Sequence, residues 1–129
     1  MRAEGFREMS TVLVVEDEEQ VRVLAESLLQ EYEHQTRSAS SVDEAIALLE
    51  SDASIEVLFT DLGLRDDLQA GISLARMALE LRPNLPVIYT TGQAVTDGMR
   101  ALFVENSQML PKPYTVDQLV SAVEAAKSA

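Results

Sequence analysis

Reactive side chains in this sequence collect at the ends of short apolar runs. Glu16 and Asp17 follow TVLVV (11–15), Asp61 follows IEVLFT (55–60), Thr91 closes PVIYTT (86–91) just before Gly92, and Lys112 follows SQML (107–110) after one proline. Three carboxylates, a hydroxyl and an ammonium are the parts of a site for a hard cation and an oxyanion. Carboxylates packed together repel one another unless a cation sits among them or one stays protonated. Magnesium suits such a set, because it takes oxygen ligands, keeps waters and commonly pairs one or two carboxylates with a phosphate. The lysine is the less ordinary choice: of ten basic residues eight are arginine, and only Lys112 and Lys127 are lysine. An ammonium is a compact point charge able to reach a single oxygen, whereas the planar guanidinium suits bidentate clamping. Each residue alone also has a plain reading. Glu16, Asp17 and Glu18 suit the positive end of a helix, and Asp61, Thr91 and Lys112 suit a turn, a strand end and a loop. Their occurrence together is what points to a site.

For these residues to meet, the elements that carry them must lie side by side with the same ends aligned. The runs 11–15, 55–60 and 86–91 are apolar and rich in β-branched residues, as expected for strands buried on both faces of a parallel sheet. HQTRSA (34–39) and SQML (107–110) are shorter or more polar and read as sheet edges. Helical spacing follows each run: Val21, Leu24, Ala25, Leu28 and Tyr32; Val42, Ala45, Ile46 and Leu49; a third helix from about Gly71 stopped by Pro83; a fourth near 95–104 that contains Gly98; and Val116, Leu119, Val120 and Val123. Ser41 with Glu44 and Thr115 with Gln118 have capping-box spacing. Five such β/α units predict an α/β fold, a doubly wound five-stranded parallel sheet of order 2-1-3-4-5 flanked by five helices, as in flavodoxin-like folds. Strands one, three, four and five are then successive neighbours. Glu16, Asp17, Asp61, Thr91 and Lys112 meet at the carboxyl edge, where such folds bind ligands.

The bulk properties narrow the partners. The 129 residues fit one domain, with residues 1–10 as a short N-terminal extension and 11–129 as the folded unit. A net charge of −12 argues against nucleic acid or an anionic membrane surface as a direct partner and for a protein or cation. There is no cysteine, which excludes disulfides and thiolate metal sites. The start MRAEGFREMS lacks the apolar core of a secretory signal, so a cytoplasmic location is expected. His34, the only histidine, reads as a surface residue on an edge strand.

The stretches VLVVEDEEQVR, LFTDLGL, PVIYTTG and LPKPYT, in this order and spacing, resemble the receiver domains of two-component response regulators over about Thr11 to Lys127. The resemblance implies that Asp61 accepts a phosphoryl group from the phosphohistidine of a histidine kinase or histidine phosphotransfer protein. It implies that Glu16, Asp17, Asp61 and the Gly63 carbonyl hold Mg²⁺, with Mn²⁺ as an alternative, and that Thr91 and Lys112 contact the phosphoryl oxygens. It also implies a cis bond at Lys112-Pro113, which an X-Pro bond allows at modest cost.

The chain departs from the family pattern in two places. Arg65 stands four residues after Asp61 where a proline is usual, and Gly71 follows ten residues after it rather than eight, so that DLGLRDDLQAG, with Asp66 and Asp67, resembles the longer loop of receivers attached to hybrid sensor kinases. Met109 stands three residues before Lys112, where receivers usually carry the Tyr or Phe that swings inward on activation. Haloacid dehalogenase-type phosphatases expect Asp-x-Asp, but the residue two after Asp61 is Gly63; a flavin binder would not place VEDEE at its phosphate loop. The remaining alternative is a pseudo-receiver adaptor that binds partners without phosphorylation. The chain ends at AAKSA, so output is expected by contact with a downstream protein, from a monomer or weak dimer that is either a stand-alone receiver or part of a hybrid kinase.

Overall fold

The computed structural model describes residues 9–65 and 67–128, so Asp66 and most of the expected N-terminal extension lie outside the described residues. Strands β1 (Thr11–Val15), β2 (Gln35–Ala39), β3 (Val57–Asp61), β4 (Val87–Thr91) and β5 (Ser107–Pro111) form one parallel sheet in the order β2-β1-β3-β4-β5. Helices α1 (Glu19–Glu31), α2 (Val42–Ser51), α3 (Ala70–Leu81), α4 (Asp97–Arg100) and α5 (Val116–Ser128) connect and follow them. The sequence-derived fold is the observed one.

Alternation along the strands explains why the apolar runs are unbroken. Val12, Val14, Val57, Phe59, Ile88 and Leu110 pack with Ala25 and Leu29 of α1 and Leu119 and Val123 of α5. Leu13, Val15, Leu58, Val87 and Tyr89 face the opposite layer, with Ala45 and Leu49 of α2 and Leu74 and Ala75 of α3. Both faces are covered, so the central strands are apolar except near their ends, where Thr60 and Thr90 are buried with their hydroxyls donating to the Asp61 and Leu110 carbonyls. The register pairs Val15 with Thr60, Asp61 with Thr90 and Thr91 with Pro111, which brings the carboxyl ends of the four strands to one level.

Two helix starts follow the expected caps. Thr115 Oγ1 accepts from the Gln118 N–H at 3.1 Å while Gln118 Oε1 accepts from the Thr115 N–H at 2.9 Å. Ser41 Oγ accepts from the Glu44 N–H, but the Glu44 carboxylate reaches one residue further back, to the N–H and hydroxyl of Ser40. At α3 the requirement is steric. The Gly71 N–H donates to the Leu62 carbonyl at 2.7 Å, and a Cβ at position 71 would collide with the Asp61 carbonyl oxygen and sit 2.9 Å from Leu62 Cα. Glycine lets α3 begin directly against the strand that carries Asp61.

Three expectations are corrected. The fourth helix, expected over 95–104, is the single turn Asp97–Arg100, opened by Thr96 Oγ1 accepting from the Met99 N–H. Beyond it Leu102 and Phe103 donate three residues back, to Met99 and Arg100, in the tighter geometry that ends helices. Gly98 weakens helix propensity there, and Leu102, Phe103 and Val104 pack against the core without a regular helix. His34 is not a surface residue: it is 3% exposed, and its Nδ1 accepts the Ser10 N–H at 3.1 Å. Edge strands are exposed at their outer rim, but His34 precedes β2, with its N–H on the Leu29 carbonyl at the end of α1 and its ring bonded to buried Ser10. In α1 the buried residues are Ala25 and Leu29, while Leu24, part of the expected apolar stripe, is 59% exposed.

Candidate functional site

Lys112 lies between two carboxylates. Its Nζ donates to Asp61 Oδ2 at 2.7 Å and to Glu16 Oε1 at 3.0 Å. The lysine is carried there by the turn after β5, where its N–H donates to the Thr91 carbonyl at 2.9 Å and the Lys112-Pro113 bond is cis, as the resemblance implied. Asp61 is held at its other oxygen as well, with Oδ1 accepting the Gly63 N–H at 3.2 Å. Glu16 is buried, and its Oε2 accepts the Glu18 N–H at 3.1 Å.

This arrangement shows how the fold tolerates crowded acids. Burial, followed by the hydrogen bond with Asp61, pushes the Glu16 carboxyl up to about 7, against the opposing pull of the Glu18 N–H and the Lys112 ammonium. For Lys112, burial works against the charge, but the hydrogen bonds to Asp61 and Glu16 outweigh it and raise the ammonium above its ordinary value. Asp17 is more open. Burial raises its carboxyl, but the Arg65 N–H and a hydrogen bond from Glu16 outweigh that and hold it below the usual range.

Asp17 Oδ2 accepts the Arg65 N–H at 2.7 Å, a contact across 48 residues that ties the loop after β3 to the end of β1. Arg65 has a positive φ of 55°. The turn around it is closed by reciprocal hydrogen bonds between the backbones of Leu64 and Asp67, each 3.0 Å. Asp17, Asp61, Gly63, Arg65, Thr91 and Lys112 together line a cleft of about 530 Å³ at the carboxyl edge of the sheet. Thr91 Oγ1 accepts the Gln93 N–H at 3.2 Å, which leaves its own hydroxyl proton available.

A family model described as the response regulator receiver domain matches residues 12–124. The chain belongs to the response regulator receiver family. The chain is 33% identical to a response regulator receiver protein from Sinorhizobium medicae, whose crystal structure superposes with a TM-score of 0.84 over 95% of this chain and 97% of that one. The receiver domain of the hybrid histidine kinase CckA superposes with a TM-score of 0.74 at 25% identity, covering 92% of this chain and 99% of that one. Among curated proteins, the transcriptional regulator NtrC of Proteus hauseri is 27% identical and the sensor kinase CckA of Brucella abortus 28% identical, each over 89% of this chain. The chain spans only 24% of that NtrC and 12% of that CckA.

In this receiver the predicted residues fall into two groups. Glu16, Asp61 and Lys112 are in direct contact, and the Gly63 N–H joins them at Asp61. Asp17 and Thr91 line the same cleft but bond to Arg65 and Gln93 instead. The donor set suits a hard divalent cation, since every group offered is oxygen. As folded, however, Lys112 occupies the space between Glu16 and Asp61, and among the described residues no three acidic or histidine side chains are grouped as metal ligands. The unused lone pairs of the carboxylates remain for a cation, since each carboxylate has about four acceptor positions. The Arg65 N–H was not foreseen as part of the site. The sequence marked Arg65 only as a departure from proline, and proline would have had no N–H to give Asp17. No helix among the described residues is long and apolar enough to cross a membrane.

Proposed function

We propose that this receiver takes a phosphoryl group on Asp61 from the phosphohistidine of a histidine kinase or phosphotransfer protein and signals by contact with a downstream protein. The observation that carries this reading is the fixed Asp61 carboxylate at the end of β3, with Gly63 N–H on one oxygen and the Lys112 ammonium on the other. A nucleophile must be held with its lone pairs aimed at the incoming atom. An Asp61 oxygen forms the new O–P bond as the N–P bond of the phosphohistidine breaks; the electron pair stays on the imidazole nitrogen, which takes a proton from water. Mg²⁺, or Mn²⁺, held by Asp17, Asp61, Glu16 and the Gly63 carbonyl, would offset charge on the phosphoryl oxygens when bound.

Lys112 and Thr91 act on the product. Once Asp61 is an acyl phosphate, its oxygen is a weaker partner for Lys112, and the ammonium can turn to the dianionic phosphoryl group. Thr91 can donate its hydroxyl proton to a second phosphoryl oxygen. The resulting shift of Thr91 and Gly92 would bias the segment 92–106 and the face of α4, β5 and α5 toward a partner. A cytoplasmic monomer or weak dimer with a net charge of −12 fits this role and no contact with nucleic acid. Acetyl phosphate with Mg²⁺, followed by intact mass, tests the reading. Wild type should gain one phosphoryl group, Asp61→Asn none, and Asp17→Asn should gain it slowly with weakened metal binding. A wild type that stays unlabelled would instead support the pseudo-receiver adaptor.

A further inference from the structure

We propose that Arg65 is a docking residue for the incoming phosphoryl group, its guanidinium receiving the anion at the mouth of the cleft before transfer to Asp61. The inference rests on the reading of Asp61 as the acceptor and adds a residue to it. The cleft is lined by Asp17, Glu18 and Asp61, and the whole chain carries a charge of −12. An anionic donor is repelled by that field unless a cation meets it. Among the described residues, Lys112 is one of two cations lining the cleft and is already engaged by both Glu16 and Asp61. Arg65 is the other. It is exposed, and although its charge also acts on Asp17 and Glu44, its guanidinium makes no ion pair within 4 Å with another described residue.

The backbone under Arg65 gives no reason for an arginine. A φ of 55° disfavours residues with a Cβ and suits glycine. The main-chain bond to Asp17 would be made equally by a glycine N–H. What arginine adds is a flexible, bidentate cation on a fixed base: the Leu64–Asp67 turn and the Asp17 carboxylate hold its Cα at the rim.

The test measures initial rates of labelling by acetyl phosphate in Mg²⁺ across donor concentrations, for wild type, Arg65→Gln, Arg65→Gly and Arg65→Lys, at low and high salt. Arg65→Gly is compatible with the positive φ and so separates loss of the guanidinium from loss of the turn. For both Gln and Gly the half-saturating donor concentration should rise about fivefold at low salt, with a smaller fall in the limiting rate, the size expected of one exposed charge. Arg65→Lys should recover much of the loss, and the salt sensitivity should shrink in the two neutral variants. Titration with inorganic phosphate should move the amide signals of residues 63–69 in wild type and not in Arg65→Gln. Half-saturation within twofold of wild type in both neutral variants, with unchanged salt dependence, would overturn the role of Arg65 while leaving Asp61 as acceptor. An unlabelled wild type would overturn both.

Discussion

Glu16 gives the sharpest quantitative test, because its carboxyl is buried beside another acid. In the folded chain it is raised from the ordinary 4.5 to about 7. At ~1.4 kcal/mol for each tenfold change in proton affinity, that corresponds to roughly 3 kcal/mol. A raised carboxyl means that the folded state keeps a proton that the unfolded chain gives up. The associated stability is therefore fully present below the unfolded value and is lost as pH rises through about 7. Between about pH 5.5 and about pH 8.5, roughly 2 kcal/mol of it should disappear. Glu16→Gln removes the titration while keeping an oxygen acceptor for Lys112 Nζ, now 3.0 Å from Glu16 Oε1. Urea unfolding of both proteins in chelator, across that range, gives two stability curves, and their difference cancels groups that titrate alike in each. Relative to wild type, Glu16→Gln should gain about 2 kcal/mol on going from the lower to the higher pH. A difference curve flat to within about 0.5 kcal/mol would refute the claim that burial beside Asp61 strains this carboxylate.

The same geometry yields three further expectations. Lys112→Arg should label slowly and signal weakly at equal charge, because a planar fork does not fit where one Nζ meets Asp61 at 2.7 Å and Glu16 at 3.0 Å; normal labelling kinetics by intact mass would remove the special role of the ammonium. Arg82→Ala should lower urea stability by about 3 kcal/mol, since its guanidinium donates to the carbonyls of Leu49, Asp52 and Ile55 at 2.8, 2.6 and 2.8 Å and caps the end of α2. Tyr89→Phe should cost about 1 kcal/mol and raise hydrogen exchange at the Val104 amide, which donates to the Tyr89 hydroxyl at 3.2 Å; unchanged exchange would show that this bond does not hold the segment.

The sheet order and the gathering of Glu16, Asp61 and Lys112 were legible because they follow from pattern. Short β-branched runs such as TVLVV suit a strand covered on both faces, and in a parallel sheet the residue after each run must arrive at the same edge. What escaped was decided by tertiary packing or by single backbone angles. Nothing local to His34 says that Ser10, 24 residues earlier, will close against its ring. The left-handed turn at Arg65 was hidden because its residue type does not ask for one, although Asp17, just past the end of the neighbouring strand β1, stabilises it. The spacing of apolar residues over 95–104 is helical, yet it is satisfied by one turn of α4 followed by a non-helical segment that buries the same side chains. Lys112 was expected against phosphoryl oxygens; in the structure its ammonium already bridges two carboxylates, so the cation that would serve the product also relieves the repulsion of the starting state.

The replacement of an aromatic by Met109 has a structural counterpart one strand inward. In register, Met109 on β5 lies opposite Tyr89 on β4. Tyr89 is fully buried, its ring centroid is 4.4 Å from that of Phe103, and its hydroxyl accepts the Val104 N–H. Met109 on the edge strand is only partly buried, whereas Tyr89, inside the sheet and 0% exposed, is enclosed by packed side chains. Its ring instead anchors the cover over it. That cover is α4, one turn long, and the stretch to Asn106, which is also held by Arg76 to the Leu102 carbonyl at 3.3 Å, by Ser107 to the Val104 carbonyl at 2.6 Å and by the Val87 N–H to the Asn106 carbonyl at 3.0 Å. A short helix with few backbone bonds of its own opens at lower cost than a long one. The expected outcome, read by hydrogen exchange with and without a phosphoryl mimic such as beryllofluoride, is faster exchange over 97–106 with the β4 amides around Tyr89 unchanged; protection lost equally in β4 would refute a fixed aromatic under a mobile cover.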